Sequence, residues 1–361
     1  MKKVIISCGG TGGHIYPGIA IGHMLKKETK DIEILYVGTK DGMEESIILR
    51  EKFNFVGVES GKLLRKISLK NLLNFFKLLK GTFQSMKVIK TFKPDLIIGL
   101  GGYVCVPVVV SGWFLHYPII LHEQNAVAGL ANKILSRLAK KIFIGDSTAV
   151  RFFPKAKVIW TGNPVRESIG TLNRKECVDK LGLEHSKRTV TLIGGSQGAH
   201  NLNIVFLNFV KLLKNESIQI VWMTGLKDYE HCKNMVKDLN IKILIMPFFK
   251  NIEEVYAVTD LIICRAGACT IAEIIKCNLP AIVIPYPAAS SNHQFYNAEI
   301  LVKNNCAILL NEKEISSENL KVLVIKLIKN EDILENFKEN FKKISKVDTR
   351  KEILDAIREI I

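Results

Sequence analysis

Two segments of the chain place a cluster of glycines directly after a short apolar run and before a helical pattern. They are VIISCGGTGGHIYPG at residues 4–18 and VTLIGGSQGAHNLN at residues 190–203. In the first, Gly9-Gly10-Thr11-Gly12-Gly13-His14 has four glycines. They let the backbone come close to a ligand and turn N–H groups outward, and the helix that follows adds its positive end. Together these favour a diphosphate, although the same residues also suit a tight structural turn. The loop is not GxGxxG, and Tyr36-Val37-Gly38-Thr39-Lys40 stands where a dinucleotide site keeps an acidic residue. Both points argue against a dinucleotide. His14 falls where loop meets helix: it is either a capping or core histidine, or a general base, because imidazole titrates near neutral pH. The second loop, Gly194-Gly195-Ser196-Gln197-Gly198-Ala199, adds a hydroxyl and an amide to the same design. It suits a second phosphate-bearing group, or is a plain strand–helix turn.

Four more segments carry polar groups at turns. His122-Glu123-Gln124-Asn125 follows an apolar strand and is expected at a cleft rim, where it could hydrogen-bond sugar hydroxyls or serve simply as a loop. Arg166, in Gly162-Asn163-Pro164-Val165-Arg166, could clamp a phosphate or lie on a linker surface. Cys264 to Glu273 again reads strand, glycine turn, helix. Glu273 there could accept from a ribose diol, or simply favour the helix dipole. In His293-Gln294-Phe295-Tyr296-Asn297 the amides could reach a sugar or cap a helix. The chain has no Asp-x-Asp and no His/Asp/Glu cluster with metal-ligand spacing. A leaving diphosphate would then be stabilised by backbone N–H groups, helix ends and arginine.

The elements that must hold these loops alternate. Apolar, β-branched-rich runs are read as strands at Lys3–Cys8, Glu33–Val37, Asp95–Leu100, Pro118–Leu121, Lys141–Ile144 and Lys157–Trp160. A second set follows at Thr189–Ile193, Ile218–Met223, Ile241–Met246, Asp260–Cys264 and Ala281–Pro285. Helical stretches between them predict βαβ units and parallel sheets covered on both faces. The 361 residues suit two domains, joined at the polar segment Thr161–Arg174. Ligands in such sheets bind beyond the carboxyl ends of the strands, so both glycine loops are expected in one cleft. The opening MKKVIISC is read as a strand, because its apolar core is shorter than a secretory signal needs. Residues 104–121 are broken by Pro107, Gly112 and Pro118, and read as a helix then a strand rather than a membrane span. The eight cysteines form no CxxC pair, as expected of buried free thiols in a reducing compartment.

The net charge of +16 points to an anionic partner or to lysine-rich composition. Residues 62–93 hold nine Lys or Arg and no acid. Leu69, Leu72, Phe76, Leu79, Phe83 and Met86 follow 3–4 spacing, so that stripe is expected to pack on the sheet, with Phe75, Leu78 and Ile89 outside it. A basic amphipathic helix with surplus apolar residues suggests an anionic membrane surface, or a lysine-solvated crossover helix. No exposed sheet of base-stacking aromatics accompanies the charge, which argues against nucleic acid.

Seven motifs, GGTGGH at 9–14, GGYV at 101–104, HEQN at 122–125, GNPVR at 162–166, GGSQGA at 194–199, Cys264–Glu273 and HQFYN at 293–297, run in order across nearly the whole chain. Together they resemble the MurG family of glycosyltransferase family 28. That family moves N-acetylglucosamine from UDP-N-acetylglucosamine to undecaprenyl-diphospho-muramoyl-pentapeptide (lipid I), making the lipid II of peptidoglycan. The resemblance implies an α/β GT-B fold of two doubly wound Rossmann-like domains facing a cleft, and an inverting transfer without metal or cofactor. Residues 1–161 would bind acceptor and membrane, 162–347 would bind the UDP-sugar, and 348–361 would pack back on the first domain. Thr11, Gly12 and Gly13 would contact the donor or its diphosphate, and the lipid acceptor would dock its own diphosphate at the same first loop; Asn125 would contact the N-acetylglucosamine, and Arg166 and Ser196 the diphosphate. Phe249 would lie by the uracil, Glu273 would bind the ribose, Gln294 a sugar hydroxyl, and His14 is the candidate base. Leu72, Phe76, Leu79 and Trp113 would face the membrane, making the protein peripheral on its cytoplasmic side. The chain departs from the family pattern at Cys105-Val106-Pro107, Ala126, Phe249 and a longer 286–292 segment.

Three other functions fit parts of the pattern. A diacylglycerol glycosyltransferase would share the donor half, but HEQN and GGTGGH favour the lipid-diphosphate acceptor. A UDP-sugar epimerase would need a pair of acid/base carboxylates, and the sequence offers no such pair. A non-catalytic nucleotide-sugar sensor would not need intact glycine loops and His14.

Overall fold

The structure, a computed structural model, describes residues 1–29, 31–61, 69–195, 198–214, 216–345 and 347–361. The chain divides into two compact units, Met1–Arg166 with Lys346–Ile361, and Glu167–Ser345.

The first unit alternates strand and helix. It runs β1 (Lys2–Ser7), α1 (Gly12–Glu28), β2 (Ile32–Thr39), α2 (Met43–Arg50), β3 (Asn54–Val58), α3 (Leu69–Phe92), β4 (Leu96–Gly99), α4 (Cys105–Phe114), β5 (Ile119–Glu123), α5 (Leu130–Leu135), β6 (Lys141–Ile144) and β7 (Val158–Trp160). The seven strands pair in parallel in the order β3-β2-β1-β4-β5-β6-β7. Strand residues alternate between two apolar layers, as a sheet covered on both faces requires. Val4 and Ile6 pack with Ile15 and Ile19 of α1, while Ile5 points the other way, to Val108 and Val109 of α4.

The second unit repeats this plan with α6 (Arg174–Lys180), β8 (Arg188–Ile193), α7 (His200–Lys211), β9 (Ile218–Met223), α8 (Tyr229–Val236), β10 (Ile243–Met246), α9 (Ile252–Val258), β11 (Leu261–Cys264), α10 (Ala268–Cys277), β12 (Ala281–Val283), α11 (His293–Lys303), β13 (Ala307–Leu309), α12 (Ser317–Ile328) and α13 (Glu331–Asn340). Its parallel sheet has the order β10-β9-β8-β11-β12-β13. Phe206 and Phe209 of α7 pack with Trp222 of β9, whose indole N–H donates to Asn203 Oδ1 at 3.1 Å. The last helix, α14 (Thr349–Arg358), belongs to the first unit, where Ile353, Leu354, Ala356 and Ile357 enter the same layer as Val4 and Ile19.

Two strands escape the pattern reading, β3 and β13. Both are sheet edges, and β3 (NFVGV) mixes a polar residue and a glycine into its run.

A larger correction concerns α3. Residues 62–68 of the basic segment lie outside the described residues. In the helix itself, the stripe expected to pack inward faces out: Leu72, Phe76, Leu79 and Phe83 are exposed, Phe83 at 71 %. Gly81, Ser85 and Ile89 face in instead. A Cβ on Gly81 would overlap the Glu59 carbonyl, and Ser111 Oγ of α4 donates to the Thr82 carbonyl at 2.8 Å. Small residues let α3 approach its neighbours closely, so the large ones are left outside.

Candidate functional site

In the first unit β1, β4 and β5 are consecutive in the sheet. The loops leaving their carboxyl ends, Gly9–Thr11, Gly101–Tyr103 and Gln124–Asn125, therefore start side by side, where sheets of this type bind ligands. Thr11 is the N-cap of α1, in extended conformation, and His14 N–H bonds back to its carbonyl at 3.1 Å. Thr11 and Gly13 are exposed, Gly12 is buried and His14 is half-buried. His14 Nδ1 lies 3.3 Å from Thr11 Oγ1. Its ring lies against the Gly101-Gly102 turn, where a Cβ on Gly102 would stand 3.3 Å from Cε1. Both glycines have positive φ, +88° and +73°, which other residues adopt only under strain.

The glycines of the first loop do different work from that expected of them. A Cβ on Gly9 would overlap the carboxylate of Glu44, a residue that the sequence did not single out. Gly10 has φ +80° and donates its N–H to Glu44 Oε2 at 3.2 Å. Of the loop's glycines, Gly13 has an open side, with only Thr11 Oγ1 near, at 3.7 Å. The loop thus wraps a buried acid on one side and opens at the start of α1 on the other.

HEQN also differs from its expected place at a rim. Strand β5 runs on through Glu123, and His122, Glu123 and Gln124 are all buried. His122 Nε2 bonds the Gly162 carbonyl at 3.4 Å, and its Nδ1 meets Gln124 Nε2 at 3.1 Å. An amide nitrogen only donates, so Nδ1 is the acceptor, Nε2 carries the proton, and the ring is neutral. Burial, opposed by the bond to Gly162 and aided by nearby His14, pushes its pKa down to about 4. Glu123 accepts from Asn125 N–H at 3.1 Å and Asn125 Nδ2 at 3.0 Å with one oxygen, and from Gly129 N–H and Asn132 Nδ2 with the other, both at 2.9 Å. The motif is a scaffold that presents Asn125. Arg166 lies with its guanidinium 5.6 Å from the centre of the Tyr16 ring on α1.

In the second unit Ser196 and Gln197 lie outside the described residues. Around them, Gly198 has φ +79°, and a Cβ there would overlap the Thr224 carbonyl, so the loop rests on the β9–α8 turn. His200 Nδ1, at the first residue of α7, pairs with Asp228 Oδ1 at 2.8 Å, and Asn203 Nδ2 donates to Asp228 Oδ2 at 2.7 Å. Burial opposes the Asp228 charge, but these bonds outweigh it and hold its pKa below the usual carboxylate range. Phe249 is buried in the β10–α9 loop. Glu273 is half-buried on α10, and Tyr256 donates its hydroxyl to Glu273 Oε2 at 2.7 Å. Tyr256 gave no sign in the sequence, since one tyrosine in an apolar helix reads as core. The thiols of Cys264 and Cys277 are pushed up to about 12 by burial, then by the Glu273 charge, which disfavours their thiolates. Gln294 Oε1 accepts from Tyr286 N–H at 2.8 Å, which turns its amide nitrogen into the remaining donor end. Arg265 is buried and bonds the Ile284 carbonyl at 3.1 Å, making it a strut of its loop. Thr11 to His14, Asn125 and Arg166 are thus brought to the first unit, and Phe249, Glu273 and Gln294 to the second.

Residues 4–144 match the glycosyltransferase family 28 N-terminal domain, and residues 189–353 match the C-terminal domain of that family. A relative from Thermoanaerobacter sp. (strain X514) is 38% identical over 99% of this chain and 100% of its own. It is named UDP-N-acetylglucosamine–N-acetylmuramyl-(pentapeptide) pyrophosphoryl-undecaprenol N-acetylglucosamine transferase. The crystal structure of Acinetobacter baumannii MurG is similar with a TM-score of 0.75 and 28% identity, covering 99% of this chain and 100% of that one. A UDP-GlcNAc 2-epimerase from Neisseria meningitidis, bound to UDP-GlcNAc, has a TM-score of 0.68 at 13% identity, covering 99% of this chain and 100% of that one, a likeness of fold alone. With both of its domains matched and a full-length relative at this identity, the chain belongs to glycosyltransferase family 28, and it is a glycosyltransferase of the GT-B fold.

Proposed function

We propose that the protein transfers N-acetylglucosamine from UDP-N-acetylglucosamine to undecaprenyl-diphospho-muramoyl-pentapeptide, with inversion at the anomeric carbon. The observation that carries this reading is the likeness to the transferase of that name over 99% of the chain. The first unit would hold the acceptor. Its diphosphate meets the start of α1 at Thr11–Gly13, where helix N–H groups and the dipole favour an anion. His14 takes the proton of the attacking muramoyl hydroxyl. For Nε2 to do so, Nδ1 must carry the ring proton, and Thr11 Oγ1, 3.3 Å away, is a hydroxyl able to accept it. His122 is unsuited to the role, because both of its nitrogens are engaged inside the unit.

The second unit would hold the donor. Glu273, oriented by Tyr256, accepts from the ribose, the backbone at Phe249 meets the uracil, and Gln294 donates to a sugar hydroxyl. Ser196 and Arg166 meet the diphosphate, and Asn125 meets the N-acetyl sugar. Departing charge is carried by N–H groups and arginine. The exposed Leu72, Phe76, Leu79, Phe83 and Trp113, with Lys77, Lys80, Lys87 and Lys90 on the same helix as the first four, would seat the protein on an anionic membrane, as a peripheral protein of the cytoplasmic face.

The test is transfer of radiolabelled N-acetylglucosamine to a short-chain lipid I analogue, in EDTA. A β-linked product is expected, and His14→Ala should lower turnover by roughly 10²-fold while UDP binding persists. Transfer to diacylglycerol instead, or to neither acceptor, would reject the reading. Unchanged turnover in His14→Ala would remove that residue from the base role.

A further inference from the structure

Glu44 is the second residue of α2 and is 1 % exposed. A carboxylate so deep in a protein needs compensation, and among the described residues no Lys or Arg lies at ion-pair distance. Backbone supplies it. Thr39 N–H donates to Oε1 at 2.7 Å and Gly10 N–H donates to Oε2 at 3.2 Å. The chain leaves room for the carboxylate from three directions. A Cβ on Gly9 would overlap it, one on Gly38 would stand 2.7 Å from Glu44 Cγ, and one on Gly42 would stand 2.6 Å from Cδ. Two N–H donors facing two separate oxygens suit a carboxylate and not an amide, which would turn an NH₂ toward one of them.

We propose that Glu44 is a positioning residue for the transfer: by holding Gly10 N–H it fixes the turn that sets Thr11 and His14 at the start of α1. This rests on the proposed role of His14. It has a corollary for the acceptor. The N–H of Gly10 already serves an anion, and the Glu44 charge repels a second one. The acceptor diphosphate is therefore met at Gly12–Gly13 and not at Gly9–Gly10.

The experiment uses the full chain as Glu44→Gln, with Glu44→Asp as the companion if Gln does not fold. Asp keeps the charge but is one methylene too short to reach both N–H groups. Three readouts are taken on folded protein: the imidazole NMR resonances of His14, assigned through His14→Gln, turnover with the lipid I analogue, and UDP affinity by calorimetry. Expected are a displaced His14 resonance, turnover down by roughly tenfold or more, and UDP affinity within about twofold of the parent. An unmoved His14 resonance overturns the proposal, whatever turnover does. A moved resonance with unchanged turnover, or a UDP affinity that falls in step with turnover, overturns it too. Should the parent fail to use lipid I at all, the fault lies with the functional reading, and the resonance still tests whether Glu44 sets the place of His14.

Discussion

His122 shows what a polar residue in a recognised motif can be doing. Its ring is buried, donates to Gly162 and accepts from Gln124, and its pKa falls to about 4 from an ordinary 6.5. The sign of the consequence follows. Between pH 6.5 and 4 the unfolded chain takes up a proton that the folded one refuses, so stability falls as pH falls, and the loss is complete once the folded pKa is passed. At about 1.36 kcal/mol per pKa unit, the loss is about 3 kcal/mol. Urea unfolding at pH 7 and pH 4 should show it, and His122→Gln should remove most of the difference. An equal pH dependence in parent and variant would show that His122 is not the titrating group. The sequence reading placed His122 at a rim because a polar residue after an apolar run ordinarily ends a strand. It does not reveal that β5 continues for two more residues inside the sheet. Glu44 and Tyr256 were illegible for a related reason: Glu44 bonds backbone N–H groups, one of them 34 residues away, and Tyr256 bonds a carboxylate 17 residues away. The turns at the glycine loops were legible because a glycine cluster between an apolar run and a helical pattern reveals a turn after a strand.

At the scale of the element, α3 is the instructive case. Its apolar residues occupy more than one face, so 3–4 spacing found the helix but could not say which stripe turns inward. The decision lay with Gly81 and Ser85, whose small size lets the backbone approach Glu59 and α4. What remains outside is an apolar strip on a helix that also exposes Lys77, Lys80, Lys87 and Lys90, Lys80 pairing with Glu59 at 3.3 Å, while α4 exposes Trp113 and Phe114. On an anionic leaflet each lysine contributes about 1 kcal/mol, and a fully buried Phe about 1.5–3 kcal/mol. Phe76→Ser with Phe83→Ser should therefore weaken sedimentation with phosphatidylglycerol vesicles by roughly tenfold or more, and 1 M salt should weaken the parent further. Transfer to a water-soluble acceptor analogue should stay near the parent level, since neither side chain belongs to the site. Vesicle binding that survives both substitutions would assign the strip to something other than a membrane.

For the whole molecule, repetition was what made the fold legible: each half opens with strand, glycine turn and helix, and buried parallel strands announce themselves as continuous apolar runs. β3 lacks that signature because Asn54 and Gly57 interrupt its run, and β13 is only three residues long; the other two edge strands, β7 and β10, keep it. The last helix carries the longest-range link in the first unit. Its Ile353, Leu354 and Ile357 lie in the layer that holds Val4 and Ile19, and Arg350 and Arg358 both reach Glu28 at the end of α1. The first unit is therefore closed by residues that follow the whole of the second in sequence. An Ile→Ala change at a packed core position costs about 2–5 kcal/mol, a large part of a domain's stability of about 5–15 kcal/mol. Ile353→Ala should thus lower amide hydrogen-exchange protection selectively in the first unit, in β1 and α1 above all. Protection in β8 and β9 should stay at the parent level, because among the described residues none of the second unit's core side chains share that layer. Equal loss in both sheets would mean that the two units unfold as one, and no loss in either would mean that α14 does not complete the first core.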